Sequence, residues 1–577
     1  MRFIWQYLRH YKKEIALIIL GTLGFVAVTL GLPTLLAEMI DKAILPQNTS
    51  LLWRYAAWML ALSILGLLGR TLTTYMASRT VNDMTMQIRN DTYTKMQQLS
   101  HHEFQEFGVP SLTTRITTDA FMILQFTEMM LRQGTAAPLM ILISIFMIWK
   151  TSPSLGLFVL PVAPIIFLFV MLIARITLPI SERQQRNLDK INRILRESIT
   201  GLRVLRAFNR EPFQHGRFQE VNAAYRKTTS QLFKLMAITP AVFSLLLNIV
   251  IIVILWFGAG YIQQGNLQVG TLVAFIEYVF HALYSLTLFA NIFMMYPRAT
   301  VSAKRLQEVL DVPISVQNPD QPVTETQEIG SLEFRDVDFA YPDASEPVLR
   351  NISFKTRPGE TTAFIGSTGS GKSTIVKLIP RFYDVTKGQI LVDGVDVRDY
   401  DLKTLRSKIG FTPQKALLFT GDISENLRYG KFDATEADMD RATDISQARE
   451  FIERLDTKYR TEIAEGGTNL SGGQRQRLSI ARSIIKGREI YIFDDSFSAL
   501  DYKTDAAVRQ SLREETKDAS TIIVAQRVGT IMHADQIIVL DKGEIAAQGT
   551  HQELLRTSDI YYEIASSQLS KEELALE

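Results

Sequence analysis

Cysteine is absent from all 577 residues, which excludes disulfides and thiolate metal sites in this chain. That absence fits a domain in a reducing compartment. An excess of charge is missing as well. The 62 Lys and Arg stand against 60 Asp and Glu, a net charge of +2, and nothing in that balance points to nucleic acid. No small-residue cleavage site precedes a soluble segment near the start, so MRFIWQYLRHYKK and the apolar run after it read as mature chain rather than a removable leader. The length is too great for one core, and two or three domains are expected.

What the chain does have is two unlike halves. Residues 1–310 carry apolar runs of about 20 residues, the length of a membrane span. Six are expected, near 15–37, 55–77, 130–150, 154–177, 238–262 and 269–296. Residues 1–13 place Phe3, Ile4, Tyr7, Leu8 and Tyr11 near a helical period among basic residues, the pattern of an interfacial helix. The connections after spans one, three and five are short. Those after spans two and four are long, polar and helix-prone. The stretch 178–237 holds about a dozen Lys and Arg, which puts the long loops, both termini and the second half on the cytoplasmic side. Ionisable residues inside spans are rare and face a protein or water-filled interior. Glu277 and His281 are such a pair, four apart in span six, and Asn248 lies in span five. Two readings fit them: a polar wall of a substrate cavity, or a hydrogen-bonded pair that fixes helix packing.

Residues 311–330 are polar, contain Pro and lack periodicity, as a linker does. Residues 331–577 read as a soluble α/β domain. Thr361–Ile365 is a buried-strand run, followed by Gly366, Ser367, Thr368, Gly369, Ser370, Gly371, Lys372 and Ser373, and then by the helical Thr374–Ile379. Strand, G-x-x-x-x-G-K-S and helix in this order form a phosphate-binding loop. The glycines let backbone N–H groups curl around phosphate oxygens at a helix N-terminus. Lys372 is placed to reach the β- and γ-phosphates, and Ser373 offers its hydroxyl to Mg²⁺. Tyr341 reads either as a base-stacking ring or as a turn aromatic. Ile490–Asp494 is an apolar strand ending in a carboxylate, which makes Asp494 a direct or water-mediated Mg²⁺ ligand. Leu470, Ser471, Gly472, Gly473 and Gln474 open a further helix and form a second anion site. Two phosphate-binding surfaces in one domain suggest a nucleotide sandwiched between two domains.

With these elements in this order, residues 331–577 resemble the nucleotide-binding domain of ATP-binding cassette (ABC) transporters. Residues 1–310 resemble the six-span domain of ABC exporters, with long cytoplasmic helical extensions. By that resemblance Tyr341 matches the A-loop aromatic, Gly366–Thr374 the Walker A motif and Gln414 the Q-loop. Leu470–Gln474 matches the signature, Ile490–Asp494 the Walker B motif and Ser498–Asp501 the D-loop. Residues near 101–117 and 199–211 look like coupling helices, and Thr461–Gly467 like the X-loop that meets them. The resemblance implies ATP and Mg²⁺ as cofactors.

Two positions depart from the family pattern. Asp495 stands where a water-polarising Glu is expected, and Gln526 where the switch histidine is expected. An Asp carboxylate falls short of a Glu by one bond, about 1.5 Å. A misplacement of about 1 Å can cost about a hundredfold in rate. The signature is intact and, in the family, serves the partner's nucleotide together with Asp501. The expectation is therefore a half-transporter of a bacterial cytoplasmic membrane. It pairs with a second, non-identical half, exports small amphipathic molecules across the lipid bilayer, and has a weakened ATP site of its own; a homodimeric or heterodimeric lipid or peptide exporter, or an ATP-gated regulator or channel, is the alternative.

Overall fold

The apolar runs fold as helices because a helix satisfies every backbone N–H and C=O within its own segment, as a bilayer interior requires. The computed structural model describes residues 1–159, 161–570 and 574 and divides into two units. One comprises Met1–Gln97 and Gly108–Val312; the other comprises Gln98–Phe107 and Pro313–Glu577.

Among the described residues of the first unit, five stretches of helix are long and apolar enough to cross a membrane: Lys12–Ile44, Thr49–Gln98, Val109–Thr151, Glu211–Gln263 and Val269–Asp311. Each contains one of the expected spans and most run well beyond it. Thr49–Gln98 alone has 50 residues, about 75 Å of helix. The expected span at 154–177 takes in residue 160, which is outside the described residues. The described parts of that span belong to the helices Pro153–Val159 and Val162–Thr200. The predicted loop after the first span is shorter than expected. A π-helical turn, Ile40–Ile44, extends the helix, and the next one begins at Thr49.

The N-terminal helix Arg2–Leu8 spends its apolar face on protein. Phe3, Ile4 and Leu8 are buried in a cluster with Ala77, Val81, Met84, Ala299 and Ala303, and the Tyr7 hydroxyl donates to Asp91 Oδ2 at 2.9 Å. Lys12–Met39 and Thr49–Gln98 cross at glycines. A Cβ on Gly69 would stand 2.7 Å from the Gly21 carbonyl oxygen, and one on Gly21 would stand 2.7 Å from that of Gly69. Small residues let membrane helices approach this closely and gain van der Waals contact. Beside this crossing, the Thr73 and Thr135 hydroxyls, from two other helices, each lie 3.5 Å from Thr22 Oγ1. At the other end, Asp41 caps the helix Val269–Asp311. Its carboxylate accepts from Gly270 N at 2.7 Å, Thr271 N at 3.0 Å and Thr271 Oγ1 at 3.1 Å.

The second unit carries two main sheets. A four-stranded antiparallel sheet runs in the order Leu349–Thr356, Leu332–Phe339, Lys387–Val392, Val395–Asp396. A six-stranded sheet runs Glu544–Gly549, Gln536–Asp541, Thr361–Gly366, Ser520–Val524, Ile490–Asp494, Ile409–Thr412. Its inner pairings are all parallel. Ser520–Val524 and Ile490–Asp494 are buried throughout, as strands covered on both faces are. Helices Lys372–Leu378, Gly472–Ile484 and Tyr502–Glu515 belong to the same unit.

The glycine crossing yields a contrast. Gly69→Ala should lower the melting point in detergent, a loss of about 1–3 kcal/mol from overpacking. Gly216→Ala, where an added Cβ meets nothing within 4 Å, should leave it unchanged or slightly raised through helix propensity. Equal melting points for the two variants would contradict the crossing.

Candidate nucleotide site

The parallel strands end together, and the polar residues that follow them share one edge, where open α/β sheets bind ligands. Gly366 ends the strand Thr361–Gly366 with φ 153°, and a Cβ there would stand 2.1 Å from the Leu540 carbonyl oxygen. Gly371 has φ 101°, a left-handed value, and a Cβ would meet Leu349 at 2.5 Å. No larger residue fits the loop at either point.

Within the loop the Lys372 ammonium donates to Gly366 O and Ser367 O, both at 2.7 Å, and to Ser370 Oγ at 3.4 Å. Burial pulls its pKa down, against the charges of Asp495 and Asp494. Ser373 Oγ donates to Asp494 Oδ1 at 2.9 Å. Asp494 is buried, which pushes its carboxyl up, while the Ser373 bond and the charge of Lys377 oppose that. The hydroxyl and carboxylate expected to share Mg²⁺ are thus in direct contact. Both are hard oxygen donors, the kind Mg²⁺ takes alongside phosphate oxygens and water. Among the described residues no cluster of three His, Cys, Asp or Glu exists to hold a metal alone. Ser373 and Asp494, side by side, fit an ion that completes its shell with phosphate oxygens and water.

Asp495 has φ 48°, in the left-handed region, where Asp is tolerated better than most residues. Its N–H donates to Val524 O at 2.9 Å. Its side-chain Oδ2 accepts from Gln414 Nε2 at 3.1 Å and from Gln526 Nε2 at 3.0 Å. The Q-loop amide, the residue at the glutamate position and the residue at the switch position therefore form one hydrogen-bonded set. Each residue is visible in the sequence; their convergence on one oxygen is not, because three separate strand ends carry them.

Tyr341 is half-buried. Its hydroxyl lies 3.1 Å from Thr374 Oγ1, and its ring packs edge-on against Phe339 at 4.9 Å and Tyr383 at 5.2 Å. Tyr383 is a neighbour of Tyr341 that sequence reasoning missed. It follows the helix Lys372–Leu378 in an aperiodic stretch, and only the adjacent pair Phe382-Tyr383 hints at it. Burial pushes its hydroxyl up to about 12.

Ser471 and Gln474 form a capping box. Ser471 Oγ accepts from Gln474 N at 3.2 Å, and Gln474 Oε1 accepts from Ser471 N at 2.8 Å. Two donors of the expected anion site are thereby spent, and the Gly472 and Gly473 N–H groups remain at the open helix end. Leu470 is buried behind them. A Cβ on Gly473 would stand 3.3 Å from Ala499 O, so the signature packs on its own D-loop. Asp501 caps the helix Tyr502–Glu515, accepting from Thr504 N at 3.0 Å and Thr504 Oγ1 at 2.7 Å. Among the described residues no hydrogen bond joins Ser471–Gln474 to the loop Gly366–Thr374.

In the first unit, His281 Nε2 lies 3.9 Å from Glu277 Oε2, with His281 the more buried of the two. Asn248 is exposed on its helix and is not joined to them by any hydrogen bond among the described residues.

Two family models match the chain: an ABC transporter transmembrane region over residues 15–286 and an ABC transporter domain over residues 349–498. An uncharacterized ABC transporter ATP-binding protein of Mycobacterium tuberculosis (strain CDC 1551 / Oshkosh) is 39% identical over 567 residues, 98% of this chain and 97% of that protein. The YfiB ABC transporter ATP-binding protein of Bacillus subtilis (strain 168) is 35% identical, covering 98% of each. A solved bacterial Atm1-family ABC exporter with ATP bound superposes with a TM-score of 0.82 at 26% identity, over 97% of this chain and 100% of that one. With a membrane region and an ATP-binding domain on one polypeptide, and relatives matched along almost their whole length, this chain belongs to the ABC transporters.

Proposed function

We propose that the chain is one half of a heterodimeric exporter whose own ATP site is weakened. The observation that carries this reading is Asp495. Its Oδ2 is held by Gln414 and Gln526, at the position where the family pattern has a water-polarising Glu. In this reading Tyr341 stacks on adenine, Gly366–Thr374 holds the triphosphate, and Ser373, Asp494 and Gln414 hold Mg²⁺. Asp495 and Gln526 are poor substitutes for the catalytic Glu and His. An amide in place of imidazole donates a hydrogen bond but cannot take up a further proton or a charge near neutral pH. Leu470–Gln474 and Asp501 complete the partner's site instead, which supplies the competent turnover.

The names of two relatives support a substrate class. A lipid A-core flippase of Syntrophus aciditrophicus is 31% identical, and so is a Bacillus subtilis ATP-binding/permease protein whose name assigns it provisionally to multidrug export. Amphipathic small molecules are the common chemistry, with a lipid as the second reading. Exposed Glu277 beside His281 favours a cavity wall that meets cations. In this reading the assembly lies in a bacterial cytoplasmic membrane with its ATP site and both termini inside.

Gentle extraction followed by native mass measurement should give a second, different chain of similar length; this chain alone at twice its mass, hydrolysing ATP, would overturn the heterodimer. In the purified complex, Asp495→Glu with Gln526→His should raise ATP turnover at least several-fold. Unchanged turnover would contradict the weakened-site reading. Lys372→Ala should weaken ATP binding at this chain's site by about tenfold or more, from loss of a charge-assisted bond to phosphate. Undiminished binding there would remove Lys372 from the site.

A further inference from the structure

Residues 98–107 connect two helices of the membrane unit in the sequence, yet they pack as part of the ATP-binding unit. Glu103 is buried and anchors them. Its carboxylate accepts from Ser100 N at 2.8 Å, from the Ser100 hydroxyl, and from Ser315 N at 3.2 Å. The segment's short helix, His101–Phe107, sets the His101 ring against an aromatic pair. The ring stacks on Phe382 at 6.0 Å with planes 24° apart, and meets Tyr383 edge-on at 5.5 Å.

Gln105 fixes this contact. The Tyr383 hydroxyl donates to Gln105 Oε1 at 3.3 Å, which leaves Gln105 Nε2 facing His101 Nε2 at 2.8 Å. An amide nitrogen can only donate, so His101 Nε2 accepts and the ring is neutral, with its proton on Nδ1. Burial and the charge of Lys377 both favour the neutral form. From Tyr383 the contact continues to Tyr341 at 5.2 Å with planes 87° apart, and from the Tyr341 hydroxyl to Thr374 at 3.1 Å. Three rings, beginning with His101 of the segment itself, stand in series up to the phosphate loop. Edge-to-face pairs have a preferred geometry, so each ring restricts the orientation of the next.

We propose that His101 is a positioning residue for the nucleotide base: through Tyr383 it fixes the plane of Tyr341, and so the segment 98–107 sets how well this site holds adenine. This rests on the reading of Tyr341 as the adenine platform. The effect is specific to the base. A second arm runs from Phe382 to Phe411 at 5.6 Å, three residues before Gln414, and a disturbance along it would reach the phosphate and metal end instead.

The test is equilibrium binding to the purified full-length complex, comparing ATP with ribose 5′-triphosphate, which lacks the base. His101→Ala should weaken ATP binding at this chain's site by about two- to tenfold and leave ribose 5′-triphosphate unchanged. His101→Phe, which keeps a ring against Tyr383, should restore ATP binding. Gln105 is exposed, so Gln105→Ala keeps the test available if His101→Ala does not accumulate, with a smaller loss confined to ATP. Equal weakening for both ligands would assign the effect to the Phe382–Phe411 arm and overturn the proposal. No change in His101→Ala, with ATP selectively weakened in Tyr341→Ala, would overturn it while sparing the adenine platform. No base-specific loss in Tyr341→Ala would remove the platform and the proposal together.

Discussion

The parallel ladder through the middle of the six-stranded sheet decides where each polar group of the candidate nucleotide site stands. Val524 lies opposite both Phe364 and Asp494, and Phe493 lies opposite Thr412. The loop at Gly366, the acid at Asp494, the kink at Asp495, the amide at Gln526 and the amide at Gln414 therefore leave the sheet at nearly the same level. A slip of one residue in any of these strands would turn every side chain on it to the opposite face. Ser373 would then lose Asp494, and Asp495 would lose one or both glutamines. Near-complete burial of the strands secures the register, because a slipped strand would expose one apolar set and bury whatever polar groups replaced it.

Much of this was legible in the residues. The strand, glycine loop and helix at Thr361–Leu378, the acid-capped strand at Ile490–Asp494 and the helix opening at Ser471 each follow from local pattern. The membrane helices were legible for the same reason: length and apolarity are local properties. What the sequence hid was non-local. The sharing of Asp495 Oδ2 joins residues 414, 495 and 526. The aromatic series joins 101, 383 and 341. No period or motif links such positions; only the sheet and the docking of a short segment bring them together. The N-terminal helix was hidden differently. Its apolar face suits a membrane surface or a protein groove equally well, and the groove formed with Ala77, Val81 and Ala303 is where it lies.

The two units solve packing differently. In the ATP-binding unit, branched and aromatic side chains fill layers around the sheets. The cluster under the phosphate loop runs from Phe334 and Phe354 through Phe364 to Leu540. In the membrane unit, side chains give way to backbone contact at Gly21 and Gly69, with threonine hydroxyls alongside. Without water to drive apolar surfaces together, close approach and hydrogen bonds must hold helices to one another.

Asp41 has a mechanical meaning for the membrane unit. Its carboxylate grips the opening turn of Val269–Asp311, and the Thr34 and Tyr278 hydroxyls, 2.6 Å apart, hold the same two helices about two turns further along. Two fastenings so close to one end leave little freedom there, and among the described residues no other hydrogen bond joins the two helices. The helices Lys12–Met39 and Val269–Asp311 are thus built like a pair of tongs joined at the Asp41 end. Any widening between them grows with distance from that joint, as the travel of a lever arm does.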